Sequence, residues 1–203
     1  MNKIGYSKVN SLEKCTCFVE DNIYNKIFSN LTLEKNIINT SFTDCEFINC
    51  IMNIKVSNST FTNCKFINSD MSNIEFDECG LHFITISNSK LTGLELTNGV
   101  IKNSIIEDNT MNLTNIANSQ VNNVHFINNN MLNSRIFNVK FTKTTLNNND
   151  LTNLEVISTS LKNIDISSNN IKNILISPND LKGSTIEYNQ IYDLINLLGV
   201  NIK

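Results

Sequence analysis

The sequence predicts an all-β solenoid, a four-sided parallel β-helix of 20-residue coils closed by a short C-terminal helix. Two observations predict it. An apolar residue stands at every fifth position from Ile51 to Ile186, 28 times without interruption, and the residue two places after it is Asn in 17 of those pentads. A period of five fits neither a strand, which repeats every two residues, nor a helix, which repeats near 3.6. At a hydrophobic content of 40% such a run is not background, so the repeat is read before any single element.

Each element follows from the pentad. The fifth-position residue, called i, points inward. Its neighbour at i−2 is mostly small, as at Ser59, Cys64, Ser69, Cys79, Ser89, Gly99, Ser104, Thr114 and Ser119, which suits an inward site beside a large one. Asn at i+2, as at Asn53, Asn58, Asn63, Asn68 and Asn73, tolerates left-handed backbone and bonds its own turn, so a corner is expected in every pentad. Large side chains at i−2 set the coil length: Ile54, Ile74, Leu94, Leu154 and Ile174 coincide modulo 20, Ile84, Val124 and Ile164 fall on the opposite side, and only Val139 stands apart. Four pentads therefore close one coil.

The boundaries expected are an N-terminal cap or tail over residues 1–17, a solenoid over 18–188 that is regular from 49, and a helical tail over 189–203. Upstream the phase slips twice, with Phe18, Ile23, Phe28 and Leu33 in one register and Ile37, Phe42 and Phe47 in another. After Ile186, the residues Ile191, Leu194, Ile195 and Leu198 follow helical spacing, with Asn189 as N-cap and Gly199 as the stop. A solenoid end needs such a cap, because its last coil exposes apolar side chains and strand edges. A leucine-rich repeat is the competing fold, suggested by LKNIDISSNNIKNI at residues 161–174, but it requires a variable convex segment that this register lacks.

The pentad pattern resembles the pentapeptide-repeat family over about residues 18–188, although the family's usual Ala at i−2 and Asp or Asn at i−1 are mostly replaced. The resemblance implies a right-handed quadrilateral β-helix. The tail DLKGSTIEYNQIYDLINLLGVNI, residues 180–202, is similar to that of the quinolone-resistance (Qnr-type) members and relatives such as MfpA and McbG. That likeness implies a homodimer joined through Ile191, Leu194, Ile195, Leu198 and Gly199. It also implies a rod that imitates DNA and binds a type II topoisomerase, DNA gyrase or topoisomerase IV, conferring resistance to quinolones or a peptide toxin. Some Qnr-type proteins project loops from the coil, and nothing interrupts the pentads from 51 to 186 here.

Charge qualifies the imitation. Seven regular coils at ~4.8 Å make a rod of about 34 Å, over which duplex DNA carries about 20 negative charges. Residues 49–188 hold 12 acids and 10 bases. The acids concentrate locally: Asp70, Glu75, Asp77, Glu78, Glu95, Glu107 and Asp108 face only Lys90 and Lys102, whereas residues 109–149 carry only Arg135, Lys140 and Lys143. Asp70, Glu75, Asp77, Glu78 and Glu95 are the candidate partner-facing acids, an acidic band able to meet a basic groove. A solvated mixed surface is the plain alternative.

Other chemistry is not expected. A filled interior leaves no room for a catalytic cavity, no phosphate loop or nucleophile elbow is present, and His82 and His125 fall in separate pentads as surface residues. The six cysteines, Cys15, Cys17, Cys45, Cys50, Cys64 and Cys79, match no zinc spacing and read as small buried filler. With a pI near 5.4 and its phenylalanines at inward sites, the chain is not expected to bind nucleic acid directly. No apolar run is long enough to span a membrane and the N-terminus lacks a signal-peptide core, so a cytoplasmic location without membrane contact is expected. The reading is a non-enzymatic binding protein with no cofactor and no small-molecule substrate. The alternative is a structural or scaffolding solenoid with a different protein partner.

Overall fold

The corner residues carry the fold. Asn58, Asn63, Asn68 and Asn73 have φ of 48°, 52°, 51° and 55°, and the same left-handed backbone recurs at nearly every fifth residue, turning the chain through each corner. Between corners lie extended segments of two or three residues, and each pairs in parallel with the segment one coil away, as Thr60 does with Gly80 and Glu75 with Glu95. The computed structural model describes residues 7–9 and 22–198, and its architecture is a four-sided parallel β-helix. We number the sides from residue 60: the first includes Thr60–Thr62, the second Lys65–Ile67, the third residues 70–73 and the fourth Glu75–Asp77. Three sides pair as strands, whereas the third, above a short strand pair of Thr32–Leu33 with Ile51–Met52, is held by single bridges and by tight turns such as Met71 to Ile74, closed by a 3.2 Å hydrogen bond. Positive φ at Asn73 is what such a turn requires at its third residue.

Several corners hold residues other than Asn or Gly in this conformation, including Phe83 at φ 55° and Leu113 at φ 60°. Left-handed backbone costs an ordinary L-residue roughly 1–2 kcal/mol, and less for Asn. Leu113 is 59% exposed, so packing recovers little of that. Leu113→Asn is expected to stabilise the protein by about 1 kcal/mol, read as a higher urea midpoint; an unchanged midpoint would show that this corner is unstrained.

The register differs from expectation at its lower end. Ile51 is 50% exposed and Met52 is fully buried, and Asn53 does not adopt left-handed backbone. The inward sequence runs Leu33, Ile37, Phe42, Phe47, Met52, Val56, so both slips are four-residue steps, and they stack, Leu33 beside Met52 and Ile37 beside Val56. Shortening the same side in successive coils keeps them superimposable: Thr40 bonds to Ser59 across a separation of 19, while later coils repeat after 20. Further down, Ser7–Val9 pairs in parallel with residues 26–28. Phe18, Cys15 and Cys17 lie outside the described residues.

Phenylalanines fill the lower interior. Phe28, Phe47 and Phe66 stack at 4.8 Å per step, and Phe61 lies 4.7 Å above Phe42, at the coil spacing itself. Higher up, Leu, Ile and Met take over and leave a void of about 20 Å³, dry because apolar side chains line it. Cys45, Cys50, Cys64 and Cys79 are buried and unpaired, and burial raises the Cys79 thiol to about 11, so it stays protonated and donates to Val56 and Asp77 carbonyls.

A buried polar column runs up the corner between the second and third sides. Ser69 Oγ and Ser89 Oγ accept from the backbone N–H one coil below, and Asn109, Asn129, Asn149 and Asn169 continue the column through Oδ1. Each Asn also donates Nδ2 to a main-chain carbonyl, Ile86, Ile106, Phe126 and Leu146 in turn. These Asn occupy inward sites that recur once per coil, a recurrence that a search for small inward neighbours passes over.

The top is closed differently from the expected single helix. Pro178–Leu181 is a short helix capped by Ser177 Oγ, which accepts from Asp180 N at 3.0 Å, so Leu181 leaves the strand pattern and Ile186 is 36% exposed. A second helical segment spans 188–198, beginning and ending in 3-10 geometry around Ile191–Leu194. Its cap is Glu187, whose N–H donates to Gln190 Oε1 at 2.9 Å, rather than Asn189. Gln190 is the plug: its Nε2 donates to the Ile166 and Asn169 carbonyls, ending the Asn column.

Candidate functional site

Strand alternation determines which side chains face solvent. On each side the i−1 and i+1 positions point out, and stacking turns residues one coil apart into columns. The outward i−1 column of the fourth side reads Lys55, Glu75, Glu95, Asn115, Arg135, Glu155 and Leu175. Glu75 and Glu95 are therefore direct neighbours. Asp77 lies on the same strand as Glu75, and Glu78 occupies the following corner at φ 55°. The structure thus brings together four of the five candidate acids.

Asp70 is the exception. It belongs to the third side, where Oδ1 accepts from Ser72 N at 3.0 Å and Ser72 Oγ at 2.6 Å, and Lys90 Nζ lies 3.5 Å from Oδ2. The Ser72 hydrogen bonds, with Lys90 adding to them, hold the Asp70 carboxyl below the usual range. Asp150 and Thr152 repeat this arrangement four coils up, which marks it as a turn device. Asp77 is also lowered, by hydrogen bonds from Asn98 and Thr97 and then by Lys55.

The acidic patch is bounded. Lys55 Nζ stands 3.9 Å from both Glu75 and Asp77 at its lower edge, and Arg135 pairs with Glu155 at 3.7 Å above it. No side carries acids through every coil. The first side is basic instead: Lys102, Lys140, Lys143 and Lys162 are exposed there, and no acid occurs on that side between residues 60 and 163.

The tail residues divide as well. Leu194 is 7% exposed and packs into the chain's own core, while Ile191 is 41% exposed between Tyr188 at 76% and Tyr192 at 71%. Ile195 is half-buried. The Leu198 side chain and Gly199 lie outside what is described. Ile191 and Ile195 border an apolar depression of about 600 Å³ with Pro178, Leu181 and Ile186. The exposed Tyr188 and Tyr192 do not stand out in the sequence, because they are off the helical stripe.

Among the described residues no group of three or more His, Cys, Asp and Glu is placed to hold a metal. His82 and His125 are half-buried rather than fully exposed. Burial, and then Lys102, lower the His82 pKa, and His125 Nδ1 lies 2.9 Å from Thr145 Oγ1. Among the described residues no helix is long and apolar enough to cross a membrane.

Comparison with known proteins bears on the repeat. No curated protein matches the sequence. A trypsin-treated variant of QnrB1, described as a plasmid-mediated fluoroquinolone resistance protein, aligns over 90% of this chain and 99% of its own at 15% identity and a TM-score of 0.46. HetL, a pentapeptide repeat protein from Nostoc sp. strain PCC 7120, aligns over 84% and 86% at 9% identity and a TM-score of 0.27. Rfr23 from Cyanothece 51142 aligns over 84% and 91% at 12% identity and a TM-score of 0.24. The family model for pentapeptide repeats matches residues 57–93. Residues 57–93 thus carry pentapeptide repeats, and the same five-residue register continues in the same coil geometry through Ile176.

Proposed function

We propose that this protein is a non-enzymatic binding rod that docks its acidic patch into the DNA-binding groove of a bacterial type II topoisomerase, DNA gyrase or topoisomerase IV, and so modulates quinolones or a toxin acting there. The observation that carries the reading is the clustering of Glu75, Asp77, Glu78 and Glu95 on two adjacent coils. Over those coils, ~10 Å of rod, four carboxylates compare with about six phosphates of duplex DNA. The imitation is local, since the rod as a whole falls far short of that density. The resemblance of the tail to the Qnr-type members supports the same partner, and such a partner sets the site of action in the cytoplasm.

Supercoiling by purified gyrase, with and without ciprofloxacin, tests this. Inhibition or rescue, together with a complex at micromolar protein, is the expected result. No complex and no effect on either enzyme would leave a scaffolding role with another partner.

The second part of the proposal is a homodimer through the tail. The surface offered is Ile191 with Tyr188 and Tyr192; Leu194 serves the chain's own core. Sedimentation should give a dimer for wild type and a monomer for Ile191→Asp. A wild-type monomer at tens of micromolar, well above the Kd of a stable dimer, would refute it.

A further inference from the structure

Coil-to-coil pairing is interrupted at one place. Lys140–Thr142 on the first side and Thr145–Asn147 on the second each pair with the coil below, and among the described residues neither has a strand partner above. On the fourth side the sheet continues without a break to Leu175–Ile176. The cause is a change of turn. Residues 161–164 close a tight turn, with Ile164 N–H donating to Leu161 O at 2.9 Å and Asn163 at φ 64°. Their remaining amides bond upward, Leu161 N to Asp180 O and Asn163 N to Gly183 O. A turn cannot match the strand beneath it, and no backbone hydrogen bond joins residues 139–144 to 160–167.

The corner is still pinned, by Val139 N donating to Thr159 Oγ1 at 3.0 Å, so the result is an opening rather than a separation. It has a volume of about 440 Å³ and is lined by Val139, Phe141, Asn138, Gln120, Ser158 and Ser160, among others. Phe141 is only half-buried, unlike the register residues from Val56 to Ile136 below it. Val139, the large i−2 side chain that fits neither wide side, stands in the same wall. Around the opening, Lys140, Lys143 and Lys162 are exposed and Lys102 continues the row two coils lower. Among the described residues none of these four forms an ion pair.

We propose that this opening and its lysine row are the docking site for an extended acidic segment of a protein partner. The segment lies along the first side with carboxylates against the lysines, and one of its apolar side chains enters the opening against Phe141 and Val139. Charge complementarity selects the occupant: a stretch of this side with four cations and no acid between residues 60 and 163 repels basic segments and steers acidic ones. A single-stranded nucleic acid would need a platform of stacking aromatics. Among the described residues the first side has two exposed aromatics, Phe83, three coils below Lys143, and Tyr24, three coils lower again, too far apart for successive bases to stack on.

Fluorescence anisotropy of a labelled ten-residue peptide of alternating Asp and Val, titrated with the full chain, tests the site. Saturable binding is expected, weakened at least about tenfold by Lys140→Glu with Lys143→Glu and weakened also when the peptide's Val residues become Ser. Both lysines are exposed, and circular dichroism establishes that the variant is folded. Glu75→Lys with Glu95→Lys should leave peptide binding intact, which separates this site from the topoisomerase patch. Absence of binding, equal binding by the lysine variant, or equal binding of an oligo-dT of the same charge would overturn the proposal.

Discussion

Asn129→Leu is expected to destabilise the rod by on the order of 2–6 kcal/mol, although leucine is apolar, of similar size and placed in an interior site. Asn129 Oδ1 accepts from Asn109 N at 3.1 Å and from Asn109 Nδ2 at 3.0 Å, while its Nδ2 donates to Ile106 O at 2.8 Å and Asn149 Oδ1 at 3.1 Å. Leucine leaves the Asn109 amide buried without a partner and takes one hydrogen bond each from the Ile106 carbonyl and Asn149 Oδ1; the orphan costs about 1–3 kcal/mol and each lost bond about 0.5–1.5 kcal/mol. Asn129→Ser should cost less, because Ser69 and Ser89 show that a hydroxyl at this site can accept the amide below. Urea denaturation of the three proteins measures both differences. In a repeat protein, stability is a sum of units and interfaces, so the leucine variant should also show a broadened, lower-m transition as the coils on either side uncouple. Equal midpoints for leucine and wild type would mean that the column contributes no net stability.

Reversing two charges should have the largest effect on binding. Glu75→Lys with Glu95→Lys is expected to weaken the topoisomerase complex by at least about 100-fold, since each tenfold corresponds to about 1.4 kcal/mol and each reversal replaces an attraction with a repulsion in the same groove. Both side chains are exposed, and Glu75 has only Lys55 at 3.9 Å, so the fold should persist. Most of the loss should appear in the association rate and should shrink as salt rises. Asp70→Lys is the control. Asp70 lies on another side and closes a turn with Ser72, so its reversal should lower stability slightly and leave the complex within a fewfold of wild type. Equal loss in both variants would point to long-range net charge instead of a patch.

The pentad made the inward residues legible because side-chain volume and corner conformation depend on each residue's own coil. Phe61, Phe66, Met71 and Phe76 are all buried, and Asn63, Asn68 and Asn73 are all corners. Ile51 misled because either Ile51 or Met52 satisfies a count of apolar residues. What decides between them is stacking: Met52 must lie beside Leu33 in a coil shortened by one residue. Asn189 likewise fits an N-cap by type, yet Glu187 is chosen because Gln190 must turn inward to plug the Asn column.

By itself the sequence determined the four-sided coil, its length and its interior, since a five-residue period is a local rule repeated until it becomes a shape. Only the tertiary structure decided which outward residues share a surface. Glu75 and Glu95 are a full coil apart along the chain and adjacent in space, whereas Asp70, one pentad before Glu75, belongs to another side. It also decided where pairing fails, because Lys140–Thr142 reads as an ordinary pentad and loses its partner only when the coil above turns early. Outward side chains carry no packing constraint of their own, so their meaning comes from the neighbours that coiling gives them.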